Sequence, residues 1–144
     1  ELFRVSNFQI IWGANNFIMP PSEYFLIWNK KQTVDNFATA EYAWVSMGLK
    51  KPAKMFNYGI HKHNHTDKIH PTQKPIDLYK WILDKYAKEN DKILDTHLGS
   101  MSIAIACADY GFELVGCELD PDYYNAGIER LRNHLSQTKI NFDI

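Results

Sequence analysis

From residue 76 onward, the sequence alternates between patterns that favour helices and patterns that favour strands. In the first segment, apolar side chains recur at three- and four-residue spacing, at Ile76, Tyr79, Leu83 and Tyr86. We therefore predict, in chain order, a helix over 75–89, a strand over Lys92–Asp95, a helix over Ser102–Tyr110 closed by Gly111, a strand over Phe112–Glu118 and a helix over Pro121–Leu135. This alternation is typical of an open, mostly parallel α/β sheet with helices on both faces.

The first half of the chain carries short apolar runs rich in β-branched and aromatic residues, which favour strands. Four strands are predicted, over Phe8–Gly13, Tyr24–Asn29, Ala40–Met47 and Lys54–Tyr58, and a last strand is predicted over Lys139–Phe142. We expect the fourth strand to pair with the third, because only a short connection joins them. The polar segment that follows, His61–His70, is predicted to be an exposed loop.

The composition indicates a globular chain of one domain. It has 144 residues, of which 45% are hydrophobic and 14% aromatic, and its formal net charge is −1. No apolar run is long enough to span a membrane, so no membrane association is expected. Cys107 and Cys117 lie in apolar segments, where we expect packed, reduced thiols of a cytoplasmic protein. Trp12, Trp28 and Trp44 fall inside predicted strands, so core packing is expected for them.

Two polar signals follow the predicted strands of the second half. Asp95–Ser100 is a strand-to-helix turn in which Gly99 lets the backbone approach a ligand closely. Glu118 ends the next strand, where a carboxylate can accept hydrogen bonds from ribose hydroxyl groups. Ligands bind open α/β sheets at the carboxyl ends of the strands, so the two signals favour a nucleoside pocket. Glycine turns and strand-end acids also occur in α/β proteins without such a pocket, and the turn alone does not separate the two interpretations.

The hexapeptide His70–Pro75 narrows the choice of ligand. A dinucleotide site would need the pattern Gly-x-Gly-x-x-Gly, of which the turn supplies only Gly99. Thr72 and Gln73 are expected to cap the following helix, whose free N–H groups suit a carboxylate, and Lys74 adds a positive charge. S-adenosylmethionine has both a ribose and a carboxylate, and it is the predicted cofactor.

On these motifs, the chain resembles the amino-methyltransferases that act on exocyclic nitrogens of adenine or cytosine in DNA. It is similar to the group in which the cofactor motifs follow the catalytic one. The stretch from Ile69 to Leu131 carries His-Pro-Thr-Gln-Lys-Pro ahead of an Asp-x-x-x-Gly-Ser turn, an order specific to that family. Residues 9–17 and 25–30 resemble its strands behind the catalytic loop. The resemblance implies the Rossmann-like fold of S-adenosylmethionine-dependent methyltransferases, incomplete here because the central catalytic strand is missing.

The resemblance also implies roles for individual residues. Those implied to hold the cofactor are Asp95, Thr96, His97, Gly99 and Ser100 around it, Glu118 on the ribose, and Thr72, Gln73 and Lys74 near the methionine end. The family usually continues Gly-Ser-Gly at this turn, whereas Met101 follows Ser100 here. A side chain at this position is expected to crowd or reshape the turn and to weaken cofactor binding.

The family's catalytic tetrad, Asp-Pro-Pro-Tyr or a close variant, is absent from the sequence, and we expect it upstream of Glu1. That tetrad accepts hydrogen bonds from the target amine and stacks on a base flipped out of the duplex. Residues 19–22 (Met-Pro-Pro-Ser) share the two prolines of the tetrad but lack its acid and its aromatic residue. Residues 120–123 (Asp-Pro-Asp-Tyr) are instead expected to start a helix, with Asp120 as the N-cap and Pro121 as the first helical residue.

The segment between Lys50 and Lys74 is locally basic, with six lysines and one acid. Lys50, Lys51 and Lys54 are candidate contacts to DNA phosphates. A solvated loop explains the same charges about as well. The histidines within residues 61–65 lack accompanying cysteines and helical spacing, so a metal site is not expected there.

Together, these features predict a single methyltransferase domain over residues 1–144. Residues 1–58 are expected to hold strands behind the catalytic loop and a DNA-contacting loop, and residues 70–144 the cofactor-binding half. The predicted reaction transfers a methyl group from S-adenosylmethionine to N6 of adenine in double-stranded DNA, as in bacterial restriction–modification or phage and prophage enzymes. Cytosine N4 is a narrower alternative, and a non-catalytic methyltransferase-like module that binds DNA is a broader one. The resemblance also admits a homodimer.

The missing central strand generates a first prediction. Residues 1–144 alone should be poorly folded or inactive, because both flanks of the sheet are present without the strand between them. The measurement is transfer of a labelled methyl group from S-adenosylmethionine to DNA, with an active DNA methyltransferase as the positive control. Methyl transfer by residues 1–144 would contradict the prediction.

Overall fold

The structure is a computed structural model that describes residues 1–46, 48–49, 52–64 and 68–137, with only the backbone described at residue 64. The chain divides into two compact units, Glu1–Thr66 and Asp67–Ile144. The predictions made for Lys50, Lys51, His65 and the strand over 139–142 fall outside the described residues.

The first unit is built on a four-stranded sheet that contains all four strands predicted there. Its elements, in chain order, are α1 (Leu2–Val5), β1 (Ile10–Trp12), a 3-10 turn (Ala14–Asn16), β2 (Phe25–Asn29), β3 (Ala40–Val45), β4 (Lys54–Asn57) and α2 (Ile60–Asn64). The strand order is β1-β3-β2-β4. Strand β3 runs antiparallel to β1 and β2, whereas β4 runs parallel to β2.

The prediction that β4 pairs with β3 is wrong. Strand β4 pairs with β2, and Trp28 lies opposite Phe56 in that register. Because β1 and β2 occupy both edges of β3, the next strand along the chain has to join the sheet at an outer edge. Since β3 is antiparallel to β2 and β4 is parallel to β2, strand β4 also runs opposite to β3.

Two of the three tryptophans in the first unit fill its core. Trp28 and Trp44 are buried, and each indole N–H donates to a backbone carbonyl, that of Tyr58 at 2.9 Å and that of Pro20 at 2.8 Å. A buried indole needs such an acceptor, because an unpaired N–H away from water is costly. Core packing is therefore confirmed for Trp28 and Trp44, and Trp12 is half-buried.

The prediction of an exposed loop over His61–His70 is wrong at its start, where α2 forms. Within α2, His63 is 2% exposed, and its ring packs edge-on against the indole of Trp28 with the ring centroids 5.9 Å apart. This contact with a buried tryptophan orders a segment that is polar in sequence. A five-residue helix is too short to show a helical period, so the sequence did not indicate it.

The second unit has the helix–strand alternation that the sequence predicts. Its elements are α3 (Ile76–Tyr86), β5 (Lys92–Asp95), α4 (Ser102–Tyr110), β6 (Glu113–Gly116) and α5 (Pro121–Gln137). Strands β5 and β6 pair in parallel, with Asp95 opposite Gly116. As predicted, α4 is closed by Gly111, whose φ of 75° lies in the left-handed region that glycine adopts without strain.

The core of the second unit lies on one face of the β5–β6 pair. Its buried members are Leu83, Ile103, Ala106 and Cys107, and Ile93 and Leu114 of the two strands pack against them. The other face of the strands carries Leu94 and Val115, which are 37% and 57% exposed. Side chains alternate along a strand, so the core-facing positions leave the neighbouring positions on the opposite face.

The two cysteines have different surroundings. Cys107 is buried in the core, and this burial, together with the nearby Asp95 carboxylate, raises the pKa of its thiol to about 11. Cys117 is exposed, so the predicted core position is wrong for this residue. It follows β6 directly, where the chain leaves the sheet.

Helix α5 has 17 residues and is the longest helix in the described part of the chain. None of the helices there is long and apolar enough to cross a membrane.

Candidate cofactor-binding site

The segments that follow β5 and β6 remain hydrogen-bonded to each other beyond the ends of the strands. The Cys117 N–H donates to the Asp95 carbonyl at 2.9 Å, and the Leu98 N–H donates to the Cys117 carbonyl at 2.9 Å. The two segments therefore leave the sheet side by side. This places the backbone of Gly99 within hydrogen-bond distance of the Glu118 side chain.

Glu118 is held by backbone N–H groups on both of its carboxylate oxygens. The Gly99 N–H donates to Oε2 at 2.7 Å, and the Asp120 N–H donates to Oε1 at 3.0 Å. The hydrogen bonds from Asp120 and then Gly99 hold the pKa of this carboxyl below its usual value. Each carboxylate oxygen can accept more than one hydrogen bond, so the oriented group retains capacity for a vicinal diol.

Asp95 shapes the start of the turn from the end of β5. Its Oδ1 accepts the His97 N–H at 2.9 Å, and the adjacent Thr96 hydroxyl lies 2.9 Å from Nδ1 of His97. Burial raises the pKa of the Asp95 carboxyl, although the His97 N–H and the charge of Lys74 act in the opposite direction. A carboxylate that is partly desolvated in this way is ready to pair with a further donor or cation.

The imidazole of His70 packs on the turn at Gly99. A Cβ on Gly99 would lie 3.5 Å from Cγ of His70, and Gly99 has a φ of +49°. The His70 ring also packs edge-on against Tyr123 of α5, with the ring centroids 4.3 Å apart. The sequence patterns point to the hexapeptide but not to His70 as a site residue. They give Tyr123 no role in the site, since residues 120–123 are predicted only to start a helix.

The hexapeptide does not cap α3 in the way predicted. Thr72 donates its backbone N–H to Nδ1 of His70 at 3.2 Å, and its hydroxyl lies 3.1 Å from the same atom. Gln73 is buried, and its Oε1 accepts the Ile69 N–H at 3.1 Å. Pro75 occupies the N-cap position of α3. The expected capping by Thr72 and Gln73 is therefore wrong, because both side chains are engaged within the turn that precedes the helix.

Lys74 is nevertheless placed near the turn after β5. It is half-buried, and its charge is close enough to Asp95 to lower the pKa of that carboxyl. His70 likewise lowers the pKa of Glu118 through its charge. The hexapeptide and the two strand ends, which lie far apart in sequence, thus meet in one part of the second unit.

Met101 does not crowd the exposed side of the turn. Its φ is 58° and its side chain is 2% exposed, so the residue keeps the left-handed backbone of a glycine while its side chain points into the interior. A Cβ on Gly127 of α5 would lie 2.8 Å from Cγ of Met101. The missing Cβ at Gly127 therefore provides the space for this side chain. The prediction that Met101 crowds the turn is therefore wrong, because its side chain is buried against α5.

Asp120 caps α5, as predicted. Its Oδ1 accepts the N–H groups of Asp122 at 2.8 Å and Tyr123 at 3.2 Å. Two of the free donors at the helix start are thereby satisfied. Residues 120–123 serve as a helix start.

The remaining candidate residues have distinct environments. Ser100 is buried, and its hydroxyl lies 3.1 Å from that of Ser102, so it faces the interior rather than a ligand. Thr96 is half-buried and His97 is exposed. Lys54 is exposed on β4 in the first unit. The described residues contain no group of three side chains that could hold a metal ion.

The hydrogen bonds to Glu118 generate a prediction about pH and stability. Because the pKa of Glu118 is lowered in the folded state, its ionised form stabilises the fold above the ordinary carboxylate pKa. This contribution disappears as pH falls through the lower folded-state pKa. The difference in free energy of unfolding between the wild-type chain and Glu118→Gln should therefore be largest near neutral pH and shrink in acid.

Urea denaturation of the protein expressed from the complete reading frame that encodes this chain, at a series of pH values, measures this difference. Glu129→Gln is the control, because Glu129 is an exposed residue of α5. A Glu118→Gln difference that stays constant with pH would contradict the proposed cause.

Comparison with known proteins identifies the family of this chain. A family model for N6/N4-type DNA methylases matches residues 6–129. The type II methyltransferase M.HpaI of Haemophilus parainfluenzae is 30% identical over 81 residues, which are 56% of this chain and 26% of M.HpaI. The chain spans about a quarter of the length of the curated relatives it matches.

Solved structures agree with the fold. The M1.HpyAVI–SAM complex matches with a TM-score of 0.58 and 21% identity, over 74% of this chain and 60% of that protein. The cytosine-N4-specific PvuII DNA methyltransferase matches with a TM-score of 0.53 and 13% identity, over 79% of this chain and 56% of that protein. The α/β alternation and the parallel β5–β6 pair thus belong to the Rossmann-like methyltransferase fold, and the chain is a member of the N6/N4 DNA methyltransferase family.

Proposed function

We propose that this chain forms the cofactor-binding part of a site-specific DNA methyltransferase that uses S-adenosylmethionine to methylate N6 of adenine. The observation that carries the proposal is the Glu118 carboxylate, which backbone N–H groups of Gly99 and Asp120 orient at the carboxyl end of β6. Ribose hydroxyl groups are natural donors to a carboxylate in that place. Family membership and the M1.HpyAVI–SAM complex support the choice of cofactor.

The residues present fit both ends of this cofactor. Glu118 accepts the ribose hydroxyl groups, and the Gly99 N–H holds its carboxylate in the orientation that this requires. Lys74 is half-buried, and its charge lies near enough to Asp95 to lower the pKa of that carboxyl. It supplies a cation for the methionine carboxylate. When bound, the cofactor supplies an electrophilic methyl group on its sulfonium. The residues of this chain bind and orient it, and catalysis then depends on alignment with the attacking amine.

The other proposed site residues surround Glu118, Gly99 and Lys74. Thr96 and His97 line the turn, with His97 exposed at its surface. Ser100 and Gln73 are buried and support the backbone around the pocket. Thr72 holds the ring of His70, which packs on Gly99. The proposed cofactor site thus comprises Lys74, Asp95, Thr96, His97, Gly99 and Glu118, with Thr72, Gln73 and Ser100 as supporting residues behind them.

Charge is divided unevenly between the two units, and this division supports double-stranded DNA as the partner. Residues 1–66 contain seven Lys and Arg against four Asp and Glu, whereas residues 67–144 contain nine against thirteen. A locally basic surface binds the phosphate backbone. Lys54, exposed on β4, together with Lys50 and Lys51, provides the proposed phosphate contacts. With DNA as the proposed substrate, the proposed location is the cytoplasm of a bacterial or phage-infected cell, and a homodimer is compatible with this role.

Cofactor binding is tested by calorimetric titration of S-adenosylmethionine into the protein expressed from the complete reading frame that encodes this chain. Glu118→Ala removes a charged acceptor of two hydroxyl groups, so its Kd should rise at least about ten-fold over that of the wild-type chain. Glu129→Ala, on the exposed part of α5, should bind as the wild type does. Equal Kd values for Glu118→Ala and the wild type would overturn the assignment of the ribose site.

The target base is tested by expressing the complete reading frame that encodes this chain in cells that lack DNA methylation. Nucleoside analysis of their DNA should show N6-methyladenine. N4-methylcytosine would overturn the adenine assignment and favour the narrower alternative. If neither modified base is found although the protein still binds S-adenosylmethionine, the result favours the non-catalytic DNA-binding module.

A further inference from the structure

One face of α5 lies against the turn between β5 and α4. Tyr123, Gly127 and Arg130 are separated by four and three residues, so they share one face of the helix. Tyr123 packs against the ring of His70, which in turn packs on Gly99. The same helix face thus reaches the turn at several points.

Gly127 allows α5 to approach the turn closely. It is buried, and a Cβ there would lie 2.8 Å from Cγ of Met101, 3.1 Å from its Sδ and 3.3 Å from the carbonyl oxygen of Gly99. Glycine destabilises the middle of a helix, so its presence at this point in α5 needs a packing reason. The side chain of Met101 and the carbonyl of Gly99 provide that reason.

Arg130 holds the turn directly. Its Nη1 donates to the carbonyl oxygen of Ser100 at 2.7 Å and to the hydroxyl of Ser102 at 3.0 Å. Its guanidinium is partly buried at these contacts. A charged donor on a backbone carbonyl makes a stronger hydrogen bond than a neutral one. One side chain of α5 therefore fixes the residue before Met101 and the residue after it.

Met101 is the position at which this support is needed. Its φ of 58° lies in the left-handed region that disfavours residues with a side chain. The neighbouring Gly99 N–H must point at Glu118 for the carboxylate to be oriented. A turn with a left-handed methionine therefore keeps its shape only if other contacts stabilise that conformation.

We infer that Gly127 and Arg130 are positioning residues for the cofactor turn: together they hold residues 99–102 in the conformation that orients Glu118, with methionine where the family usually has glycine. Both residues act on the turn itself, through the side chain of Met101 and the carbonyl of Ser100. The inference rests on the proposed function of the turn as a cofactor site.

Arginine variants give the first test. In Arg130→Met, amide hydrogen exchange at Met101, which donates to Leu98, should accelerate at least about ten-fold because the turn opens locally. The Ala87 amide, which donates to Leu83 in α3, should keep its protection and so report on the intact core. The Kd for S-adenosylmethionine should rise about ten-fold. Arg130→Lys should recover part of both changes, and Arg132→Met, an exposed control on α5, should change neither.

A double-variant cycle gives the second test. Gly127→Ala should displace Met101 and weaken S-adenosylmethionine binding about ten-fold or more. Adding Met101→Gly removes both the displaced side chain and the need for a supported left-handed methionine. The double variant should therefore return to within about three-fold of the wild-type Kd and recover exchange protection at residue 101.

The results separate the inference from the proposed function. If the wild-type protein, expressed from the complete reading frame that encodes this chain, has no affinity for S-adenosylmethionine, the proposed function is overturned. Exchange at Met101 in the variants of the same protein would still decide the role of α5. Unchanged exchange at Met101 in Arg130→Met and Gly127→Ala would overturn the inference, whatever the Kd. Accelerated exchange at Ala87 as well as Met101 would assign these residues to general stability and would also overturn it.

Discussion

The hydrogen bond from the Gly99 N–H to the Glu118 carboxylate joins the two strand ends on which the rest of the site depends. It forms because β5 and β6 are parallel and their pairing continues through Asp95, Cys117 and Leu98 beyond the strands. Parallel strands end at the same edge of a sheet, so polar residues that follow each strand meet without a long loop. The carboxylate is thereby oriented by backbone groups before a ligand arrives, which lowers the cost of binding.

The turn itself shows how a departure from a family pattern can be accommodated. Methionine takes the left-handed conformation at residue 101, and its side chain is buried against Gly127 of α5. The glycine that the turn lacks is matched by one on the facing helix. Because close packing does not tolerate overlap, these two positions are coupled through space rather than through sequence. The guanidinium of Arg130 adds hydrogen bonds to the same short segment.

Much of this chain could be predicted from local patterns. The three helices and two strands of the second unit follow from apolar periodicity, and the caps at Asp120 and Gly111 follow from residue chemistry. Asp95, Gly99 and Glu118 could be singled out because they follow strands. The roles of Thr72 and Gln73 were predicted incorrectly, since both are good caps in general, whereas here they bind their own turn.

Local patterns in the chain were enough to predict the α/β alternation, the polar residues at the strand ends and, through the motifs, the family. These properties depend on residues that are near one another in the chain. Three contacts between distant segments were not predictable in this way: β4 joins β2, His63 packs on Trp28, and Arg130 of α5 bonds to the turn at Ser100. Each of these depends on which distant segments share an edge or a cavity, and no local period encodes that choice. Met101 illustrates the difference, because its sequence position suggested a crowded turn and its packing against Gly127 shows where the side chain fits.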